Sequence, residues 1–181
     1  MIRKMLHMDA PRHLLLEICG DSEAWPAWMP GVQSAKTVRD GDQHRVVLVT
    51  GSFSGMNFSH EMDLKVGVDT VRQFQKEGWP VKWGITWRFT QPPNKLGTTV
   101  LAEIDLEFAP FAPVPKKMVN SMMRRMMEES LVALKKRAHH LHEERPEEVL
   151  VAEVGEKILL SVYQTEQGLE VVVGDQKWVI G

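Results

Sequence analysis

The sequence predicts an α+β fold in which a one-sided antiparallel sheet is covered by a single long helix. Three observations predict it. Residues 32–108 alternate apolar and polar with a period of two, residues 116–142 carry an apolar stripe at helical spacing, and the proline-rich turn APFAPVP separates the two blocks. A sheet with one wet face needs a cover, and no other segment is long enough to supply it.

Residues 2–8 read as a short strand. Pro11 then opens a helix through Ile18 that Gly20 ends, which is the usual placing of proline at the start and glycine at the stop. Asp21 or Ser22 can cap a second short helix, which carries Trp25 and Trp28 and is closed by Pro30-Gly31. Turn signals at Asp40-Gly41, around Gly55, at Gly67, from Gly78 to Pro80 and from Pro92 to Gly97 divide residues 32–108 into six strands.

Three of these strands alternate cleanly enough to assign faces. In 58–66, Phe58, His60, Met62, Leu64 and Val66 share one side, against Ser59, Glu61, Asp63 and Lys65. In 81–89, Val81, Trp83, Ile85, Trp87 and Phe89 point inward and Lys82, Thr86 and Arg88 outward. In 100–108, Val100, Ala102, Ile104, Leu106 and Phe108 oppose Glu103, Asp105 and Glu107. The outward acids and bases read as a solvated face of weak cross-strand pairs, not as paired catalytic carboxylates. Arg72 shares a face with Phe74, and its irregular strand leaves open whether that face is inside.

The long helix carries Val119, Met123, Met127, Leu131, Leu134, Ala138 and Leu141 along one stripe, widened at its start by Met118, Met122 and Met126. Unbranched, polarizable methionines suit either an adaptable binding wall or gap-filling in an ordinary core.

With 181 residues, 43% apolar and 25% charged, the chain suits one soluble domain with a small appendage. A net charge of −2 exerts no global pull on nucleic acid or anionic lipid, so no DNA partner is expected. The apolar stretch LLLEIC is too short for a secretory core or a membrane span, which makes the expected location cytoplasmic. A single cysteine, Cys19, excludes an intramolecular disulfide and a cysteine-based metal cage, and its apolar helical setting suits an inert buried thiol.

The order of elements, with AWPAWMPGVQSAKTV after the first helix, the aromatic strand WGITWRF, the turn PPNKLGTTV and the long terminal helix, resembles the START-like (SRPBCC) superfamily. Within it, the polyketide cyclase/dehydrase and coenzyme Q-binding START-like proteins are the nearest in look. The resemblance covers residues 1–142 and implies a helix-grip (Bet v 1-like) domain: a curved seven-stranded sheet gripping the terminal helix, with a lipid or aromatic ligand between them. No family catalytic residue carries over, because no short motif matches. Residues 143–181 depart from the pattern as a linker and an added β-meander of up to four short strands, turning at Gly155-Glu156, Gln167-Gly168 and Gly174-Asp175. About 35 residues hardly bury a core alone, so this extension should dock on the main domain or on a second chain, as in a homodimer.

His60 is the most informative residue, since alternation sets an imidazole among apolar neighbours. It reads as a hydrogen-bonding group for a quinone, phenol or carbonyl oxygen, as the acid/base of a cyclase, or as a core histidine bonded to backbone or water. Trp83, Trp87 and Phe89, with Trp25 and Trp28, read either as the apolar wall of a pocket or as plain core. The expected ligand-binding set is His60, Phe58, Met62, Trp83, Trp87, Phe89, Ile104, Met122 and Met126, with no catalytic residue unless His60 is one.

Lys116, Lys117, Arg124, Arg125, Lys135, Lys136 and Arg137 make the helix locally basic. This suits a peripheral membrane or ribosome contact as well as an ordinary solvated face balanced by the acidic stretch Glu143 to Glu148. His139, His140 and His142 point to different sides of a helix, so no metal site is expected. Nucleotide, phosphate-loop, HExxH and GxSxG signatures are absent from the sequence, and no cofactor is implied. Three readings of function follow: a carrier of a hydrophobic molecule such as a lipid, prenylated quinone or polycyclic aromatic; a polyketide cyclase, aromatase or dehydrase; and a ribosome- or protein-interaction module.

Overall fold

The computed structural model describes residues 1–41, 44–92, 96–144, 147–154, 157–165, 168–173 and 176–180, with side chains described to His142 and at Val171. The expected turns at Gly155-Glu156 and Gly174-Asp175, and Gln167 in the third, lie outside these residues, as does the middle of the Pro92–Gly97 turn.

The elements follow in the order β1 (Ile2–Met8), α1 (Arg12–Gly20), a 3₁₀ segment (Ser22–Ala27), β2 (Val32–Asp40), β3 (Arg45–Phe53), β4 (Met56–Val66), β5 (Thr70–Gln75), β6 (Val81–Thr90), β7 (Thr98–Phe108) and α2 (Lys116–Glu144). The strands form one antiparallel sheet in the order β1-β7-β6-β5-β4-β3-β2, so β2 to β7 run as a meander and β1 closes on β7. This is the helix-grip architecture.

The short helices start and stop for local reasons. Pro11 is extended at the head of α1, and the helix runs through Gly20 before Asp21 turns away, its N–H donating to Glu17 O at 2.8 Å. Asp21 caps the next segment, its Oδ1 accepting from Glu23 N–H at 3.1 Å. Pro26 inside that segment has no N–H to give an α-helical ladder. Buried Trp25 donates its indole N–H to Cys19 O at 3.0 Å and so stitches the segment to the end of α1.

Register fixes the two faces of the sheet. Val49 pairs with His60, Val47 with Met62, Met62 with Gln75, Gln73 with Ile85, and Ile85 with Ile104, and these positions turn to the concave side. The convex side carries the charges. There Glu103 meets Arg3 Nε at 2.6 Å and Arg88 Nε at 3.1 Å, and its carboxyl is held below the usual range first by the Arg88 hydrogen bond. Arg72 belongs to this face: it pairs with Thr86 and Lys65 and is exposed, which settles the side that the sequence left open. Phe74 lies over Gly84 on the adjacent strand, where a Cβ would fall inside the ring, so only glycine fits.

α2 buries Val119, Met123, Met127, Leu131, Leu134 and Ala138 along one stripe, as its sequence spacing requires. The chain separates into two compact units, Met1–Ala138 and His139–Gly181. The second contains the end of α2 and a four-stranded antiparallel sheet, β8 (Glu147–Val154), β9 (Lys157–Thr165), β10 (Gly168–Val173) and β11 (Gln176–Ile180), in the order β11-β10-β9-β8.

Candidate ligand cavity

Between the concave sheet and the first half of α2 lies a cavity of about 310 Å³. That is within the range of small-molecule pockets, about 300–1,000 Å³. β4 supplies Phe58, His60 and Met62 to its wall, β6 supplies Val81, Trp83, Ile85 and Trp87, and β5 supplies Gln73 and Gln75. α2 closes it from above with Met118, Val119, Met122, Met123, Met126 and Ser130, four residues of which are methionine at helical spacing on one side. Trp25, Met29 and Pro30 form one end, and Val114 sits at the entrance to α2.

Of the residues expected from the sequence, His60, Phe58, Met62, Trp83, Trp87, Met122 and Met126 line this cavity. Phe89 and Ile104 do not. Both are buried on the correct face, but in close-packed core. Phe89 stands six residues beyond Trp83, roughly 20 Å along the strand, where α1 packs against β4, β5 and β6. Ile104 is on β7, which contributes nothing to the wall. Trp28 is likewise buried outside the cavity.

His60 lies against Phe58 with the rings tilted by 31° and their centroids 5.3 Å apart, and meets Trp83 edge-to-face at 5.7 Å. Its Nε2 is closed off from solvent and has no hydrogen-bond partner among the described residues. Burial lowers its pKa, which keeps the imidazole neutral near pH 7. Cys19 is fully buried, and desolvation drives its thiol pKa upward and disfavours the thiolate.

Sequence reasoning missed Gln73 and Gln75, two buried carboxamides on the concave face. Gln73 accepts from Trp87 Nε1 and donates to Cys19 O, both at 3.5 Å, and thereby ties the floor of the cavity to α1. Gln75 accepts from the backbone N–H of Trp83 at 3.0 Å, so what it offers the cavity is its amide N–H. The signal was present: Val71, Gln73 and Gln75 keep a period of two, concealed because two of the three are polar. Phe53, Asn57 and Ser130 were missed as well. No group of three or more His, Cys, Asp or Glu side chains able to hold a metal occurs among the described residues.

The family model for polyketide cyclase / dehydrase and lipid transport matches residues 8–135. The chain belongs to this family. No curated protein matches its sequence. Among solved structures it is similar to a START superfamily protein from Mycobacterium smegmatis, with 18% identity, 77% of this chain and 97% of that one covered and a TM-score of 0.67. It is similar also to the Zhui aromatase/cyclase from Streptomyces sp. R1128, with 15% identity, 77% and 93% covered and a TM-score of 0.69. A STAR-related lipid transfer protein from Xanthomonas axonopodis gives 16% identity, 76% and 84% covered and a TM-score of 0.61. At such identities the likeness speaks to the fold alone. The family gives hydrophobic ligand binding as the coarse function of the START-like domain. Among the described residues no helix is long and apolar enough to cross a membrane.

Proposed function

We propose that the protein binds and carries an apolar small molecule, a lipid, prenylated quinone or polycyclic aromatic, in this cavity. The observation that carries the reading is the wall itself: six methionines of α2 and β4 and the rings of Trp25, Phe58, Trp83 and Trp87 enclose a space large enough for a ligand. The unpartnered Nε2 of His60 and the amide of Gln75 are the groups that a ligand hydroxyl or carbonyl would satisfy. Native mass spectrometry of the purified protein, followed by organic extraction, tests this. A stoichiometric apolar molecule is expected, and a protein that arrives empty and binds no lipid, quinone or aromatic probe would sink the reading.

The entrance favours delivery from a lipid surface. Trp79 and Phe111 are exposed on two turns joined by the hydrogen bond from Ala109 N–H to Pro80 O, and Pro80 and Val114 of those turns line the cavity. Half-exposed Met56 and Met118 complete the apolar rim, beside Lys116 and Lys117. The peripheral membrane contact expected of the basic helix is thus proposed for its first turn. Co-sedimentation with anionic vesicles should fall in the Trp79→Ser/Phe111→Ser double variant, and unchanged binding would remove this part.

The cyclase reading rests on His60 in the wall. It requires His60→Ala to abolish turnover of a polyketide-like substrate while the substrate still binds.

A further inference from the structure

We infer that the cavity admits only uncharged ligands and takes a carboxylic acid solely in its protonated form, an inference that rests on the binding role proposed above. The wall comes from the 3₁₀ segment and the turn after it, from β2 to β6, from the turns before β6 and α2, and from α2. None of these places an Asp, Glu, Lys, Arg, Cys or Tyr side chain in it. Among the described residues, its polar side chains are those of Asn57, His60, Gln73, Gln75 and Ser130 and the indoles of Trp25, Trp83 and Trp87, all neutral but for the one titratable imidazole.

Charge is not scarce in these elements. It is segregated: Asp63 of β4, Arg72 of β5, and Lys82 and Arg88 of β6 all take the opposite face. At the entrance Lys116 and Lys117 stand on the exposed first turn of α2 and are not part of the wall, and Lys116 Nζ lies 5.5 Å from the centre of the Phe108 ring. A carboxylate moved into the cavity loses its water and gains no fixed counter-charge, so it binds more readily after taking up a proton. His60 gives no standing compensation, because desolvation between Phe58 and Trp83 disfavours its cation. The amide of Gln75 and the imidazole suit a hydroxyl or carbonyl oxygen, which needs hydrogen bonds and no counter-ion.

The test is a matched pair of probes on one ring skeleton, 9-anthracenemethanol and 9-anthracenecarboxylic acid, measured by equilibrium dialysis with the full chain from about pH 6 to about pH 8. The alcohol should bind with a Kd that does not change with pH. The Kd of the acid should rise about tenfold per pH unit, since only its shrinking neutral fraction enters. An ion pair with protonated His60 would give the same slope, so both titrations are repeated with His60→Gln. The inference requires that variant to change both Kd values by the same factor.

Selective loss of the acid in His60→Gln would make the imidazole its cationic partner and overturn the inference. Equal, pH-independent binding of acid and alcohol would overturn it too while leaving the cavity a binding site. Failure of both probes, and of anthracene itself, would overturn the binding role and the inference with it.

Discussion

The two ends of the interface between α2 and the sheet are both apolar and reach different outcomes. Around Leu131, Leu134 and Ala138 the helix side chains are buried in close-packed core, with Leu134 fully inaccessible. Around Met118, Met122 and Met126 the same helix stands over a cavity. Leucines pack the closed end, and methionines border most of the open one. Branched side chains fix a single packing, whereas methionine tolerates a gap and adapts to what fills it. The helix thus anchors itself with its second half and leaves the cavity under its first half.

The largest effect that tests this contrast is on stability. Leu134→Ala should cost about 3 kcal/mol, because the closed end cannot collapse around the hole. Met122→Ala should cost less than about 1 kcal/mol, since its side chain already borders empty space. Urea denaturation of the two variants measures both, and equal losses would break the contrast between the ends.

Gln73 marks the boundary between them. Gln73→Leu keeps the shape but takes away the acceptor for Trp87 Nε1 and one donor to Cys19 O. At 3.5 Å these bonds are long, so the expected loss is about 1–2 kcal/mol, most of it from the indole N–H left buried without a partner. Urea denaturation reads it, and an unchanged midpoint would make Gln73 a cavity residue with no part in holding the floor to α1.

What the sequence disclosed follows from what periodicity can encode. Alternation reports which face a residue takes, so the concave positions of β4, β6 and β7 and the stripe of α2 were legible before the fold was known. It does not report where along a strand the helix lifts off. Phe89 and Ile104 therefore look identical to Trp83 and Trp87 in the sequence, and only the lie of α1 and α2 across the sheet separates core from cavity. Polarity hid the face of β5, because Gln73 and Gln75 point inward and exchange hydrogen bonds with neighbouring elements, Gln73 with Trp87 Nε1 and Cys19 O and Gln75 with Trp83 N–H. Arg72 was unresolved for the same reason. The ligand is not legible at all, since a neutral apolar wall states what it excludes more sharply than what it holds.

Filling the open end sharpens the contrast further. Met126→Phe adds a rigid ring where methionine leaves space, and binding of an apolar probe should weaken about tenfold, or about 1.4 kcal/mol. Stability should hold or rise by a few tenths of a kcal/mol, since the ring enters existing volume. Fluorescence titration and thermal melting give the two readouts. A drop in melting temperature as large as that of Leu134→Ala would mean that this end is as tightly packed as the other.

The smallest expected effect comes from His60 and depends on pH. Its pKa is lowered from 6.5 by burial, so between that value and the depressed one the unfolded chain binds the proton that the folded chain refuses. The group therefore imposes no penalty above about pH 6.5, and stability is lost as pH falls below it toward the folded-state pKa. His60→Phe keeps a ring against Phe58 and Trp83 and removes the titration. The difference in unfolding free energy between variant and wild type should widen on acidification across that window and be constant above it. Because the other histidines are common to both chains, a difference that does not change with pH would mean that the His60 imidazole is as well solvated in the folded state as in the unfolded one, and the open end of the interface would then be wet.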